Sequence, residues 1–99
     1  MRVDFTLASA RELEEAVAHY TAITIELGQA FAAEAEAATE RISAYPLAWP
    51  KVGKLERRFR LERFPYGLVY TVEGDIALVL AVMHLHRKPG YWRERNPTG

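Results

Sequence analysis

The 99-residue chain contains no cysteine, which excludes disulfides, thiolate metal sites and cysteine nucleophiles. No apolar run approaches the roughly 20 residues that a membrane-spanning helix needs. Asp4 interrupts the segment where a signal peptide would have its apolar core. We therefore expect a cytoplasmic protein with a single domain over residues 1–99. Residues 93–99 show no apolar period, and we expect a frayed tail there.

The net charge of zero conceals a division between the two halves of the chain. Residues 1–45 carry eight acidic side chains and three basic ones, whereas residues 46–99 carry ten basic and five acidic. A chain divided in this way can present a basic surface to a polyanion although its total charge is zero. The alternative is that these charges are ordinary solvated surface.

The longest apolar segment, Ile76–Met83, is too short for a membrane span and too continuous for a strand with one wet face. It therefore predicts a central strand that is covered on both faces. Glu73-Gly74-Asp75 predicts a tight turn before it. Residues 57–63 alternate and predict a strand, a bend follows at residues 64–67, and residues 68–72 form the next strand.

The first half of the chain has a helical period. A short edge strand is expected at residues 2–5, followed by a helix that begins at Ser9 with a Ser9–Glu12 capping box and ends at Gly28 as a left-handed cap. A second helix is expected over residues 29–45, ended by Pro46, with a loop over residues 46–56. The predicted fold is α+β, in the order β-α-α-β-β-β. An N-terminal edge strand and an antiparallel helical hairpin pack on a three-stranded antiparallel meander.

A single helical hairpin covers one face of such a sheet and leaves the other face without an internal cover. The alternating positions of the central strand leave Ala77, Val79, Ala81 and Met83, or the opposite set, in need of one. Three covers remain open: the 46–56 loop with Trp49, a partner segment, or a second copy of the chain.

Titratable and aromatic side chains follow the central strand and predict one compact site, with Arg60 of the meander near it. They are His84, His86, Arg87, Lys88, Tyr91 and Trp92. Histidine titrates near neutrality, and arginine can hold phosphate. The alternative is structural, with His84 hydrogen-bonded, Arg87 bound to a carbonyl or to the acidic half, and Tyr91-Trp92 packed as a lid over the sheet edge. A metal site is disfavoured because His84 and His86 have no third ligand close in sequence.

The order of these elements resembles the RelE/ParE superfamily of toxins from type II toxin–antitoxin modules. The match covers nearly the whole chain, and its most specific parts are Arg63-Phe64-Pro65-Tyr66 and the segment from His84 and Arg87 through Pro89-Gly90-Tyr91-Trp92. The other residues that carry it are Ala16, Tyr20, Leu27-Gly28, Phe31, Ile42–Pro46, Arg58, Leu61, Tyr70 and Arg95.

The resemblance implies a growth-inhibiting toxin of the plasmid-stabilisation type, without a cofactor, which a cognate antitoxin neutralises. ParE-like members inhibit DNA gyrase, whereas RelE-like members cut messenger RNA on the ribosome without a metal. Only Lys51 and Lys54 could supply the lysine cluster of the best-known nucleases, which favours the ParE-like alternative. A detoxified or regulatory domain of the same fold, and a homodimer, also remain open.

For a nuclease, the expected catalytic residues are His84, Arg87, Tyr91 and Arg63. The expected contacts to the target or to phosphate are Arg58, Arg60, His86 and Lys88. Whether the protein is an enzyme stays open at this point.

Overall fold

The computed structural model describes residues 1–97, and its element order is the predicted one. The elements are β1 (Arg2–Phe5), α1 (Leu7–Ile23), α2 (Ile25–Ala44), β2 (Arg57–Arg60), β3 (Tyr66–Glu73), β4 (Ile76–His84) and a short 3-10 helix at Arg93–Arg95. The predicted α+β class is therefore confirmed. Within residues 1–97, neither helix is long and apolar enough to cross a membrane.

The sheet has the strand order β1-β4-β3-β2, so β4 is an inner strand as predicted. Strands β2, β3 and β4 form the expected antiparallel meander, and Gly74 makes the β3–β4 turn with a positive φ of 59°. The edge strand β1 runs parallel to β4, with Phe5 opposite Val79. Since β1 ends there, the rest of that side of β4 has no strand neighbour.

The start of α1 differs from the predicted capping box. Thr6 caps the helix, and its hydroxyl accepts a hydrogen bond from the Ser9 amide at 3.1 Å. Ser9 is buried inside the first turn, and its hydroxyl donates to the Val79 carbonyl at 2.8 Å. The box prediction is wrong because Ser9 and Glu12 both face β4 and bind that strand.

The junction between the helices also differs from the prediction. Thr24 ends α1 and caps α2 by accepting from the Leu27 amide at 3.1 Å, so Gly28 lies inside α2 and does not cap α1. A Cβ atom on Gly28 would lie 1.9 Å from Thr21 Oγ1. Glycine is therefore needed here for the close approach of the two helices. Pro46 follows the end of α2, as expected.

The hairpin packs on one face of the sheet over a core that includes Phe31, Ile42, Leu68 and Tyr70. Trp49 also packs on this side, edge-on to Phe59 at 4.5 Å between ring centroids. Trp49 therefore does not cover the second face, as the loop alternative required.

The second face is covered by the C-terminal segment of the chain itself. Its buried residues Val69, Ala81 and Met83 pack with Trp92, which is only 2% exposed, and Val52 of the 46–56 loop adds to the cluster. The cover is thus mainly a segment outside the three candidates for this face, although a packing lid of Tyr91-Trp92 is among the structural alternatives from the sequence. It follows β4 directly, so the two apolar faces of this strand are both satisfied within one chain.

The predicted alternating set of β4 is wrong. A register shift in the β3–β4 pairing between Val69 and Tyr70 leaves Ala77 and Val79 on the hairpin face and Ala81 and Met83 on the second face.

The expectation of a frayed tail is wrong for the part of the tail that the structure describes. Residues 93–95 form a 3-10 turn, and the Asn96 side-chain amide donates to Glu56 Oε2 at 2.7 Å. Polar anchors on both sides of Trp92 hold the segment against the sheet. The last two residues, 98 and 99, lie outside the described range.

Candidate functional site

Glu12 of α1 is the centre of a cluster that joins the hairpin, β4 and the C-terminal segment. Its carboxylate accepts hydrogen bonds from the Val82 amide at 3.1 Å, from the Tyr91 hydroxyl at 2.8 Å and from Arg95 Nη1 at 2.8 Å. Arg87 Nη1 lies 3.4 Å from the second carboxylate oxygen. We call Glu12, Arg87, Tyr91 and Arg95 the Glu12 cluster.

The Glu12 cluster covers the part of β4 that β1 leaves without a neighbour. Glu12 binds the Val82 amide, and Arg95 Nη1 also donates to the Leu80 carbonyl at 3.1 Å. Buried backbone groups without partners destabilise a fold, and an open strand edge invites unwanted pairing. The side chains of Glu12 and Arg95 therefore supply backbone hydrogen bonds that a neighbouring strand would otherwise make at this edge.

Tyr91 lies between the cations of this cluster. The guanidinium carbon of Arg87 is 3.7 Å from the centroid of the Tyr91 ring, and that of Arg95 is 5.0 Å away. Burial, the hydrogen bond to Glu12 and the negative charge of Glu12 raise the pKa of the Tyr91 hydroxyl above its ordinary value. The phenol therefore stays protonated and acts as a hydrogen-bond donor to Glu12.

His84 ends β4 on the face that carries the helical hairpin. Its ring packs edge-on against Tyr66, its cross-strand neighbour, at 5.2 Å between centroids. His84 Nδ1 accepts a hydrogen bond from the His86 amide at 3.1 Å. Both contacts fix the imidazole in the way that the structural alternative from the sequence described.

A second group of cations lines an open groove of about 530 Å³ beside β2 and the turn that follows it. We call this the arginine groove. Its lining residues are Arg58, Arg60, Leu61, Glu62, Arg63, Phe64, Pro65, Leu85 and His86. Among residues 1–97, no carboxylate lies within ion-pair distance of the Arg58, Arg60 or Arg63 side chain. These three guanidinium groups are thus available to a ligand.

Two contacts hold the walls of the arginine groove. The Arg58 stem lies over Gly67, where an added Cβ would come within 3.1 Å of its Cγ and Cδ atoms. Glu34 of α2 accepts from the Glu62 and Arg63 amides at 2.6 and 3.1 Å and fixes the turn between β2 and β3. The arginines therefore project from a backbone that is tied to the sheet and to the hairpin.

The structure separates the residues that the sequence placed in one patch. Arg60 lies opposite Gly67 and His84 opposite Tyr66, one position along β3, so their side chains leave opposite faces of the sheet. Tyr91 and Arg87 belong to the Glu12 cluster. The expectation of a single compact patch is therefore wrong for Arg87 and Tyr91, which bind Glu12. His84 leaves the opposite face from Arg60, but its ring still contacts the groove residue His86 at 5.0 Å between centroids.

Of the eight residues proposed from the sequence, four line the arginine groove, namely Arg58, Arg60, Arg63 and His86. Lys88 is exposed in the turn after β4. Glu12 was missed as a site residue, although a signal was present: it precedes Ala16 and Tyr20 at intervals of four and so shares their inward face. In the described residues, no group of three histidine, aspartate or glutamate side chains is arranged to hold a metal ion.

Comparison with known families decides the assignment. A sequence model described as the ParE toxin of type II toxin–antitoxin system, parDE, matches residues 3–89. The chain belongs to this family. It is therefore a type II toxin that works with a cognate antitoxin, and the family resemblance predicted from its motifs is confirmed.

The fold of this ParE toxin is also that of a solved structure, "Chromosomal ParDE TA system from P. aeruginosa". The likeness has a TM-score of 0.63 at 18% sequence identity, and it covers 85% of this chain and 95% of the other. At this identity the likeness concerns the fold. Among curated proteins, none matches the chain.

Proposed function

We propose that this ParE toxin acts in the cytoplasm by binding and inhibiting DNA gyrase, and that its antitoxin prevents this until the antitoxin is lost. Such a pair stabilises the plasmid or other replicon that encodes it. The observation that carries the proposal is the family match over residues 3–89. The ParE-like branch of the superfamily acts on gyrase, as the resemblance implied.

The geometry of the expected catalytic residues supports a binding toxin over a nuclease. Metal-free RNA cleavage needs a base, an acid and cations around one phosphate. His84 packs on Tyr66, Arg87 and Tyr91 bind Glu12, and Arg63 lies in the arginine groove. The catalytic roles proposed from the sequence would require Arg87 and Tyr91 to leave Glu12 and to converge with His84 and Arg63 around one phosphate.

The arginine groove is the surface that we assign to the target. Its guanidinium groups have no internal anion, so binding a target requires no ion pair to be broken first. Exposed Lys88 follows β4 on the same stretch of chain as His86 and is assigned to the rim of this surface. We therefore propose that Arg63 binds the target, in place of the catalytic role expected from the sequence.

Controlled expression in a bacterium tests the target. Inhibition of gyrase predicts loss of plasmid supercoiling and chromosome breaks while messenger RNA stays intact, and co-expression of the antitoxin gene should restore growth. Purified toxin should also inhibit supercoiling of relaxed plasmid by gyrase. Cleaved messages with normal supercoiling would instead assign the protein to the RelE-like nucleases. Normal growth at full expression would support a detoxified domain.

A further inference from the structure

We infer that the arginine groove binds the phosphodiester backbone of a nucleic acid directly. This inference deepens the proposed function, on which it rests, because it names the part of the target that the groove contacts, namely the nucleic acid that gyrase holds. Three features of the groove support it: the pairing state of its arginines, their attachment to the fold, and its flat, exposed side chains.

The first step is the pairing state of the cations. Arg57 donates to the carbonyls of Leu47 and Trp49, and Arg87 and Arg95 bind Glu12, so these cations are already used by the fold. Arg58, Arg60 and Arg63 have no carboxylate partner among residues 1–97. Three guanidinium groups against the one carboxylate of Glu62 give the groove a net positive charge. An anion is the ligand that this charge requires.

The second step is the fixed placement of these groups. The stem of the half-buried Arg58 side chain passes close over Gly67, and Glu34 of α2 holds the backbone that carries Arg63. An arginine whose stem or backbone is already held loses less entropy when it binds. Its planar fork can donate two parallel hydrogen bonds to the oxygens of one phosphate.

The third step concerns which anionic ligand fits the groove better, a phosphodiester or an acidic peptide. Arg60, Arg63 and His86 are all exposed and planar, and Pro65 and Leu85 add apolar surface between them. Unpaired bases stack on guanidinium and imidazole planes, and every base has such a face. An acidic peptide would use the charges but has no aromatic rings to place on these planes unless its sequence supplies them. The combination of forks and flat faces favours a nucleic acid.

Fluorescence anisotropy of labelled 20-nucleotide probes tests the inference with the purified full-length toxin. The probes are single-stranded DNA, single-stranded RNA and duplex DNA, each measured over a series of salt concentrations. We expect binding at low salt that weakens steeply as salt rises. Arg60→Gln/Arg63→Gln should weaken binding at least tenfold at low salt. On duplex DNA it should also reduce the slope of log K against log salt by roughly two, one for each lost phosphate contact.

The control is Arg2→Gln/Arg11→Gln, which removes the same charge from exposed positions in the acidic half. It should bind like the unchanged toxin. All four arginines are exposed, and the one ion pair among them, Arg2 with Asp4, lies at the surface, where such pairs contribute little to stability. Both double variants should therefore melt close to the unchanged toxin, as circular dichroism will show. Equal losses in the two variants, or no salt-dependent binding by the unchanged toxin, would overturn the inference. Tighter binding to poly-glutamate than to every nucleic acid probe would also overturn it and assign the groove to an acidic peptide.

The three probes distinguish the sources of the phosphate. Preference for duplex DNA would point to the DNA held by gyrase, and preference for single strands would point to stacking. A toxin that inhibits gyrase but binds no probe would contradict this inference and leave the proposed function standing. A toxin that binds probes through the groove but leaves supercoiling unchanged would contradict the proposed function alone.

Discussion

Two groups of arginines in the basic half of this toxin have opposite environments. Arg87 and Arg95 meet the carboxylate of Glu12, whose side chain is only 11% exposed, whereas Arg58, Arg60 and Arg63 meet no carboxylate among residues 1–97. The residue types are the same, and one acidic side chain from α1 makes the difference. The Glu12 cluster therefore belongs to the fold, and the arginine groove is left for a ligand.

The largest effect on stability should come from removing the acid itself. Glu12→Ala leaves the Val82 amide and the Tyr91 hydroxyl without their acceptor, and it deprives two cations of their counter-charge. We expect a loss of about 2–4 kcal/mol in the free energy of unfolding. The loss is limited because Arg87 is 53% exposed, so water can solvate its charge once Glu12 is gone. Urea denaturation measures it, with the exposed Glu14→Ala as a control that should change little. Equal midpoints for the two variants would show that the Glu12 cluster does not stabilise the fold.

A smaller effect is expected from Tyr91→Phe, which keeps the ring between Arg87 and Arg95 and removes only the hydrogen bond to Glu12. The loss should be about 1.5 kcal/mol, the lower end of the range for a hydrogen bond to a charged group. The exposed Tyr45→Phe is the matched control and should unfold like the unchanged toxin. Combining Tyr91→Phe with Glu12→Gln should give less than the sum of the two losses. Full additivity would contradict the direct contact.

Acidification should loosen the same C-terminal segment through its other anchor, Glu56. Burial disfavours the charged carboxylate, but hydrogen bonds from Asn96 and from the Glu56 and Leu55 amides, with the nearby charge of Arg93, lower the pKa of Glu56. A lowered folded-state pKa adds stability above the unfolded pKa of about 4.3 and loses it as pH falls through the folded value.

Melting temperatures between pH 7 and pH 3 test this expectation. The difference between the unchanged toxin and Glu56→Gln should be constant above about pH 5 and should shrink below the unfolded pKa of about 4.3. The matched control is Glu36→Gln, an exposed substitution on α2, which should leave the melting temperature at pH 7 close to that of the unchanged toxin. A difference that stays constant down to pH 3 would mean that the charge of Glu56 does not hold the segment.

The smallest effect on stability should come from the groove. Arg60→Gln/Arg63→Gln removes two exposed cations without an ion pair, so the free energy of unfolding should stay within about 0.5 kcal/mol of the unchanged toxin. Toxicity in the expression assay should nevertheless fall sharply. A strongly destabilised variant would show that these arginines support the fold. Full toxicity would place the target surface elsewhere.

Much of the fold could be predicted from local pattern. The apolar period of the helices, the continuous apolar segment of β4 and the glycine turn at Gly74 each appear within a few consecutive residues. The ends of α1 were harder, since Ser9 and Gly28 have local signatures of caps but make long-range contacts. A residue with a local capping signature does not form the cap when a partner distant in sequence offers it a stronger interaction.

The sequence predicted many of the residues of the candidate site, but it did not predict which of them lie together. Arg58, Arg60, Arg63 and His86 were identified from charge and alternation, and the structure places all four on one groove. His84 and Tyr91 were joined to them because they lie close in sequence at and after the end of β4. Glu12 binds Tyr91 away from the groove, and the pleat of β4 turns His84 toward Tyr66, where it meets the groove only through its ring contact with His86.

The sequence by itself determined the family, the order of the elements and the basic character of the second half, because periodicity, motif order and charge are properties of the chain. Only the tertiary structure decided which arginines are paired, since Glu12 lies 75 positions before Arg87 and reaches it only after the hairpin packs on β4. Electrostatic pairing depends on distance in space, and the fold sets that distance.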